Sequence, residues 1–155
     1  MTAVLRLTRR FAASPERVFD AWTDPSVLHE WWAANPDWEG ADAEVDLRPG
    51  GAYRLSMRDT GSGAVLTVAG EYTEVVRPER LAYTWAWEGE PSEMRGSEGS
   101  LVVVDFLAEG EGTLVLLTHS GFADEQIRDL HDAGWTACLD NLERRVLGGQ
   151  RACST

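Results

Sequence analysis

Residues 14–32 read SPERVFDAWTDPSVLHEWW. The stretch holds two helix starts in tandem, Ser14 followed by Pro15 and Asp24 followed by Pro25. A serine or aspartate in front of a helix accepts a hydrogen bond from a free first-turn N–H, and proline fits that turn because it has no N–H to leave unpaired. Two short consecutive helices are therefore expected, and their flanks say what they belong to. Before them, VLRLTRRF (residues 4–11) alternates like a strand. After them a period of two runs from residue 39 to residue 120 through EGADAEVDL, GGAYRLSMRD, AVLTVAGEYTEVV, RLAYTWAWE, SLVVVDFLAE and TLVLLTHS. The intervening RPGG, TGSG, RPE and GEG are turn signals. Tight turns join antiparallel neighbours, so the expected fold is α+β, with an antiparallel sheet whose first strand is set apart from the other six by the helix pair.

A further helix is expected over roughly residues 124–147. At about 100° per residue Ile127, His131, Trp135, Cys138, Leu142 and Val146 share one sector, with Gly134 on its border, while Asp129, Asp132, Asp140 and Arg144 lie opposite. This helix should bury one stripe against the sheet. Strand alternation puts Tyr53, Leu55 and Met57 on one face, and Leu81, Tyr83, Trp85 and Trp87 likewise, which makes these the expected inner surface. In TLVLLTHS both faces are apolar, and the pattern leaves open whether Thr118 or His119 points inward.

A chain of 155 residues with 43% hydrophobic residues and seven tryptophans can build a single core, so one domain over 1–155 is expected, its core at about 3–147 and its tail at 148–155 flexible. The 26 acidic residues against 14 basic ones give a net charge of -12, which repels phosphate backbones and anionic lipid. Neither nucleic acid nor a membrane is an expected partner. Two cysteines, Cys138 and Cys153, make no disulfide framework, and no apolar leader or membrane-length apolar run is present, so the expected location is cytoplasmic. EGEPSEMRGSEG, residues 88–99, is expected to be a loop over whatever the domain encloses. Open sheet edges leave a homodimer possible.

The chemistry-bearing residues gather near the C-terminus in His119, His131, Cys138 and Trp135. His131 and Cys138 fall on one line of the helix, but seven residues separate their backbones by about 10 Å, too far for a helical ligand pair. No CxxC or HExxH pattern supplies a third ligand, and no metal or organic cofactor is expected. Cys138 sits mid-helix on the buried stripe, where a thiol is a small hydrophobe and not an activated nucleophile. The glycines of RPGGAY fit no phosphate-binding loop, and the acid pairs of GEYTE and GEPSE read as charged strand edges. Tryptophans on every kind of element predict an aromatic interior, part of it plain core and part of it walls for an apolar ligand.

These residues, taken together, resemble a known family. SPERVFDAWTDPSVLHEWW, DLRPGGAYRLSM, GEYTEVVRPERLAYTW, TLVLLTHSGF and HDAGWTACLDNL occur in the order and spacing of the START/birch-pollen-allergen (SRPBCC) superfamily. The segments look most like those of the group named after the C-terminal domain of the activator of the heat-shock-protein-90 ATPase. The resemblance implies a helix-grip fold, a curved antiparallel sheet wrapped around the long C-terminal helix, with a cavity between sheet, long helix and short helices. It places Trp31, Tyr53, Leu55, Trp85, Trp87, His131, Trp135 and Cys138 on the cavity wall and His119 and Phe122 near its rim. It carries over no catalytic residue.

The leading functional expectation is a binding protein that encloses a small, largely apolar ligand, with His131 or His119 orienting a polar group. A cyclase- or dehydratase-like enzyme using a cavity histidine for proton transfer is the alternative from another class. A co-chaperone or interaction module is the third. The eukaryotic co-chaperone makes much of its chaperone contact through a separate N-terminal domain, for which this chain leaves no room, so a chaperone partner is not the first expectation.

Overall fold

The computed structural model describes residues 3–33, 37–88 and 99–147. Most of the expected loop at 88–99, and the tail with Cys153, lie outside them. Strand β1 (Ala3–Phe11) leads into helices α1 (Pro15–Thr23) and α2 (Pro25–Trp31). Strands β2 (Trp38–Val45), β3 (Ala52–Asp59), β4 (Val65–Val76), β5 (Arg80–Trp87), β6 (Ser100–Glu109) and β7 (Gly112–Phe122) follow, and helix α3 (Glu125–Asn141) comes last. The seven strands form one sheet in the order β1-β7-β6-β5-β4-β3-β2, every pair antiparallel.

The helices start where capping chemistry dictates. Ser14 Oγ accepts from the Arg17 N–H at 3.3 Å, the Asp24 carboxylate from Ser26 N–H at 3.0 Å, and the Asp124 carboxylate from Ile127 N–H at 2.9 Å. Asp24 closes α1 and opens α2 at once, so the chain turns without a free linker. Register shifts between Gly40 and Ala43 in β2 and between Tyr72 and Glu74 in β4 insert extra residues into the ladders. Such bulges bend a sheet and let it curl. The curled sheet grips α3, whose Trp135 packs against Trp85 of β5, the rings tilted by 37° with centroids 5.3 Å apart. This is the helix-grip arrangement.

Two details differ from the sequence reading. The last helix is not uniform to residue 147: beyond Asn141 it widens to a π-helical turn over Leu142–Leu147. The extra residue per turn shifts the register, so Leu147 is buried and Val146 only half-buried. The ambiguous strand β7 resolves with Thr113, Val115, Leu117 and His119 inward. Alternation alone would put residue 121 next on that face, but Gly121 adopts φ 99°, open to glycine at little cost, and Phe122 turns inward in its place.

Candidate functional site

A partly open recess lies between the inner face of β3–β5 and α3, lined by Trp32, Met57, Leu66, Trp85, Trp87, Leu130, His131, Gly134, Trp135 and Cys138. Its volume is about 40 Å³. Room for a water begins at roughly 10 to 15 Å³ on this measure, and drug-sized pockets run to about 300 Å³ and above, so the recess seats a small group and not a whole ligand. Leu130, at 41% exposure, and the half-buried Leu66 and Trp87 stand at its outer side. A second void of about 10 Å³ lies beside it, lined by Trp22, Leu28, Trp32, Tyr53, Leu55, Tyr72, Leu81 and Tyr83. Trp32 belongs to both walls and divides them.

Trp32 is held there by the chain on both sides of it. It is the residue after α2, with φ -78° and ψ 88°, so its side chain has left the helical rotation. The carbonyl of the next residue, Ala33, accepts from Asn141 Nδ2 at 3.1 Å and from the Cys138 thiol at 3.3 Å. The exit of α2 is thereby tied to α3, and the Trp32 ring comes to lie 5.5 Å from Trp135 and 5.8 Å from Trp85. Gly134 of α3 completes the recess by what it lacks, since a Cβ added there would meet nothing within 4 Å.

Two tryptophan–histidine pairs back this wall. Trp87 Nε1–H donates to His131 Nε2 at 2.9 Å, and Trp135 Nε1–H donates to His119 Nδ1 at 3.1 Å. An indole can only donate, so each accepted nitrogen is unprotonated and the tautomers follow. His131 carries its proton on Nδ1 and gives it to the Ile127 carbonyl at 2.9 Å; His119 carries its proton on Nε2, 2.8 Å from Ser100 Oγ. Burial pushes His119 down to about 2, with the neighbouring His131 adding to the shift, and burial lowers His131 also. Both rings are held neutral with both nitrogens engaged. A general acid or base needs a nitrogen free to exchange a proton with substrate, and this arrangement offers none. Burial likewise raises the Cys138 thiol to about 12, which leaves it un-ionised near neutrality.

The expected site residues fall into three groups. Trp85, Trp87, His131, Trp135 and Cys138 line the recess. Tyr53 and Leu55 line the smaller void instead, because Trp32 stands between. Trp31, His119 and Phe122 line neither. Trp31 is fully buried among the helices, its N–H on the Ala21 carbonyl at 2.9 Å, and it is the adjacent Trp32 that reaches the recess. His119 and Phe122 are not at a rim but fully buried behind the wall, their rings 4.3 Å apart. Trp32, Met57, Leu66, Leu130 and Gly134 complete the lining without having been singled out as ligand contacts. Met57 was legible as an inward strand position and Gly134 as a border of the helical stripe.

Among the described residues no group of three His, Cys, Asp or Glu side chains could hold a metal ion, and no helix is long and apolar enough to cross a membrane. Residues 12–146 match the family model described as activator of Hsp90 ATPase homolog 1-like protein. Among solved structures, protein CV1439 from Chromobacterium violaceum is similar at 27% identity and TM-score 0.81, over 92% of this chain and 96% of that one. The AHSA1-like protein from Aeromonas hydrophila shares 28% identity at TM-score 0.76, over 94% of each chain. PFC0360w, an HSP90 activator from Plasmodium falciparum, shares 25% identity at TM-score 0.67, over 90% of this chain and 93% of that one. A search of curated proteins finds no significant match.

Proposed function

The chain belongs to the activator of Hsp90 ATPase homolog 1-like family, and from that premise we propose that it is a cytoplasmic binding protein whose tryptophan recess takes the end of a small, largely apolar molecule. The observation that carries this reading is the space kept at Gly134. A glycine inside a helix costs about 1 kcal/mol relative to alanine, yet here an alanine methyl would meet no neighbour within 4 Å. The cost is met with no packing need in view, and the space it preserves opens onto the rings of Trp32, Trp85 and Trp135. A ligand inserted end-on would cover about 100 Å² of apolar surface, some 2 to 3 kcal/mol before the losses of association, with its remainder resting on Leu66, Trp87 and Leu130. The affinity of small probes is accordingly weak.

The test is a titration of the ¹⁵N-labelled protein with ethylbenzene, followed through the tryptophan indole resonances and repeated in Gly134→Leu, whose side chain fills the recess. Saturable shifts at Trp32, Trp85, Trp87 and Trp135 that disappear in the variant are expected. Shifts scattered over the surface, or unchanged by Gly134→Leu, would refute the reading.

Similarity to the Plasmodium HSP90 activator favours a second reading, in which the chain stimulates a chaperone ATPase through its acidic surface. Its check is direct: the purified chain added to Hsp90 raises the ATPase rate in a salt-sensitive way, or it does not.

A further inference from the structure

Strand β7 is apolar on both faces, and the core uses only one of them. Val115 and Leu117 point inward and are buried, while Leu114 and Leu116 point out. On β6 the inward set is Val102, Val104 and Phe106, and Leu101, Val103 and Leu107 point out. The ladder sets the two outward rows side by side, Leu107 beside Leu114 and Asp105 beside Leu116. The helices meet this sheet from its inner side, α1 at Phe106 and α3 at His119 and Arg9. On the outer side Leu107 stays 44% exposed, and Leu101, Val103, Leu114 and Leu116 are only half-buried. A contiguous apolar patch of this kind, rimmed by charge, marks an interaction surface.

The charge of the rim is divided. One row of neighbours runs Arg6, Thr118, Val103, Ala82, Glu74 across β1, β7, β6, β5 and β4. A guanidinium stands at one end, a carboxylate at the other and Val103 in the middle. Arg6 is exposed and makes no ion pair among the described residues, whereas Arg10 on the same strand holds Glu109. We infer that this face binds a second copy of the chain, sheet on sheet, about a two-fold axis running along β6. Rotation about that axis lays β1 of one copy over β4 of the other and returns the row onto itself reversed. Arg6 of each copy then comes opposite Glu74 of the other, an attraction counted twice. An axis across the strands would stack β1 on β1 and oppose Arg6 and Arg10 to their own kind. Val103 and Leu107 lie on the axis and meet themselves. Asp105 does so too, but its own Arg80 holds it at 2.7 Å from one side and Arg80 of the second copy arrives from the other, which leaves the cluster neutral. Five strands about 4.8 Å apart and four outward rows about 6.7 Å apart cover roughly 500 Å² per copy, near the lower end of a specific interface. The dimer is accordingly reversible. The recess opens on the inner side of the sheet and stays uncovered.

The experiment is sedimentation velocity on the full chain from about 1 to 500 µM, where a reversible monomer–dimer equilibrium is expected. Leu107→Asp sets two carboxylates against each other on the axis and should raise Kd about a hundredfold, with Leu116→Asp acting in the same direction. Leu107 is exposed enough for that change to leave the fold intact, which thermal unfolding of the monomer checks. Arg6→Glu should raise Kd about tenfold, and adding Glu74→Arg should bring it back toward the wild-type value. Glu74 also lies 3.6 Å from Arg80 in its own chain, so the recovery in the double variant is the readout. A chain that stays monomeric throughout would overturn the inference and leave the patch to a different protein. A dimer indifferent to both leucine variants would overturn it as well, and point to pairing through a sheet edge. A dimer that the leucine variants break but the double charge variant does not restore would overturn the axis.

Discussion

Trp32 divides the interior into two aromatic regions, and they are finished differently. On one side Tyr53, Tyr72 and Tyr83 pack ring to edge, with centroids 5.0 to 5.9 Å apart, around a void of about 10 Å³. Two of their polar ends are used within the protein: the Tyr53 hydroxyl donates to the Thr84 carbonyl at 2.5 Å and the Tyr83 hydroxyl accepts from Trp22. On the other side Trp85, Trp87 and Trp135 face a space of about 40 Å³ with one mid-helix glycine at its wall, and two of the rings around it, Trp32 and Trp85, keep buried N–H groups without a hydrogen-bond partner among the described residues. Aromatic content is the same kind of material in both. Closure by the protein's own atoms is what separates packing from a site.

Acid and alkali should attack the two regions separately, and acid gives the largest effect expected here. His119 and His131 are held neutral, with affinities for protons lowered by burial. The unfolded chain binds those protons near the ordinary pKa of about 6.5, so the stabilisation is complete above that pH and is lost as pH falls below it. With His119 pushed down to about 2, that residue alone withdraws about 2 kcal/mol between pH 6.5 and 5, and His131 acts in the same direction. Urea unfolding at pH 7, 6 and 5 reads this, and His119→Gln should flatten the slope by about one proton. An unchanged slope would mean that His119 is accessible to protons in the folded state. The tyrosine side has the opposite sign. Burial raises all three phenols, so their contribution is intact below about pH 10 and is lost as pH rises past it.

A smaller effect sharpens the boundary between the two regions. Tyr53→Phe deletes the bond to Thr84 and should cost about 1 kcal/mol in a denaturant midpoint series. Because Tyr53 lines only the smaller void, probe affinity in the recess should not move. A change in affinity would show that Trp32 does not separate the two sides.

Much of this was legible in the chain, where local chemistry had one reading. The Ser14 and Asp24 caps fix the starts of the two short helices, and the alternation of Leu81, Tyr83 and Trp85 fixes the inner face of β5. His119 was not legible, because Leu114 and Leu116 on one face of β7 are as apolar as Val115 and Leu117 on the other. The rim position that the resemblance implied for Phe122 does not hold, because the break at Gly121 turns its ring fully inward. The resemblance implied Trp31 where Trp32 lines the recess, because the chain leaves the helix at Trp32 and is pinned by Asn141 and Cys138, more than a hundred residues away in sequence.

The smallest effect is the most diagnostic. Gly134→Ala places a methyl where nothing lies within 4 Å, so no clash opposes the gain in helix propensity, and stability should rise by about 0.5 to 1 kcal/mol. The same methyl intrudes on a space of about 40 Å³, so affinity for apolar probes should fall as stability rises. Thermal unfolding and probe titration on one preparation measure both. Opposite movement of the two is what a site maintained at the expense of packing requires. If the variant gained stability and bound equally well, Gly134 would be an unoptimised position, and the space beside it would count as a packing fault.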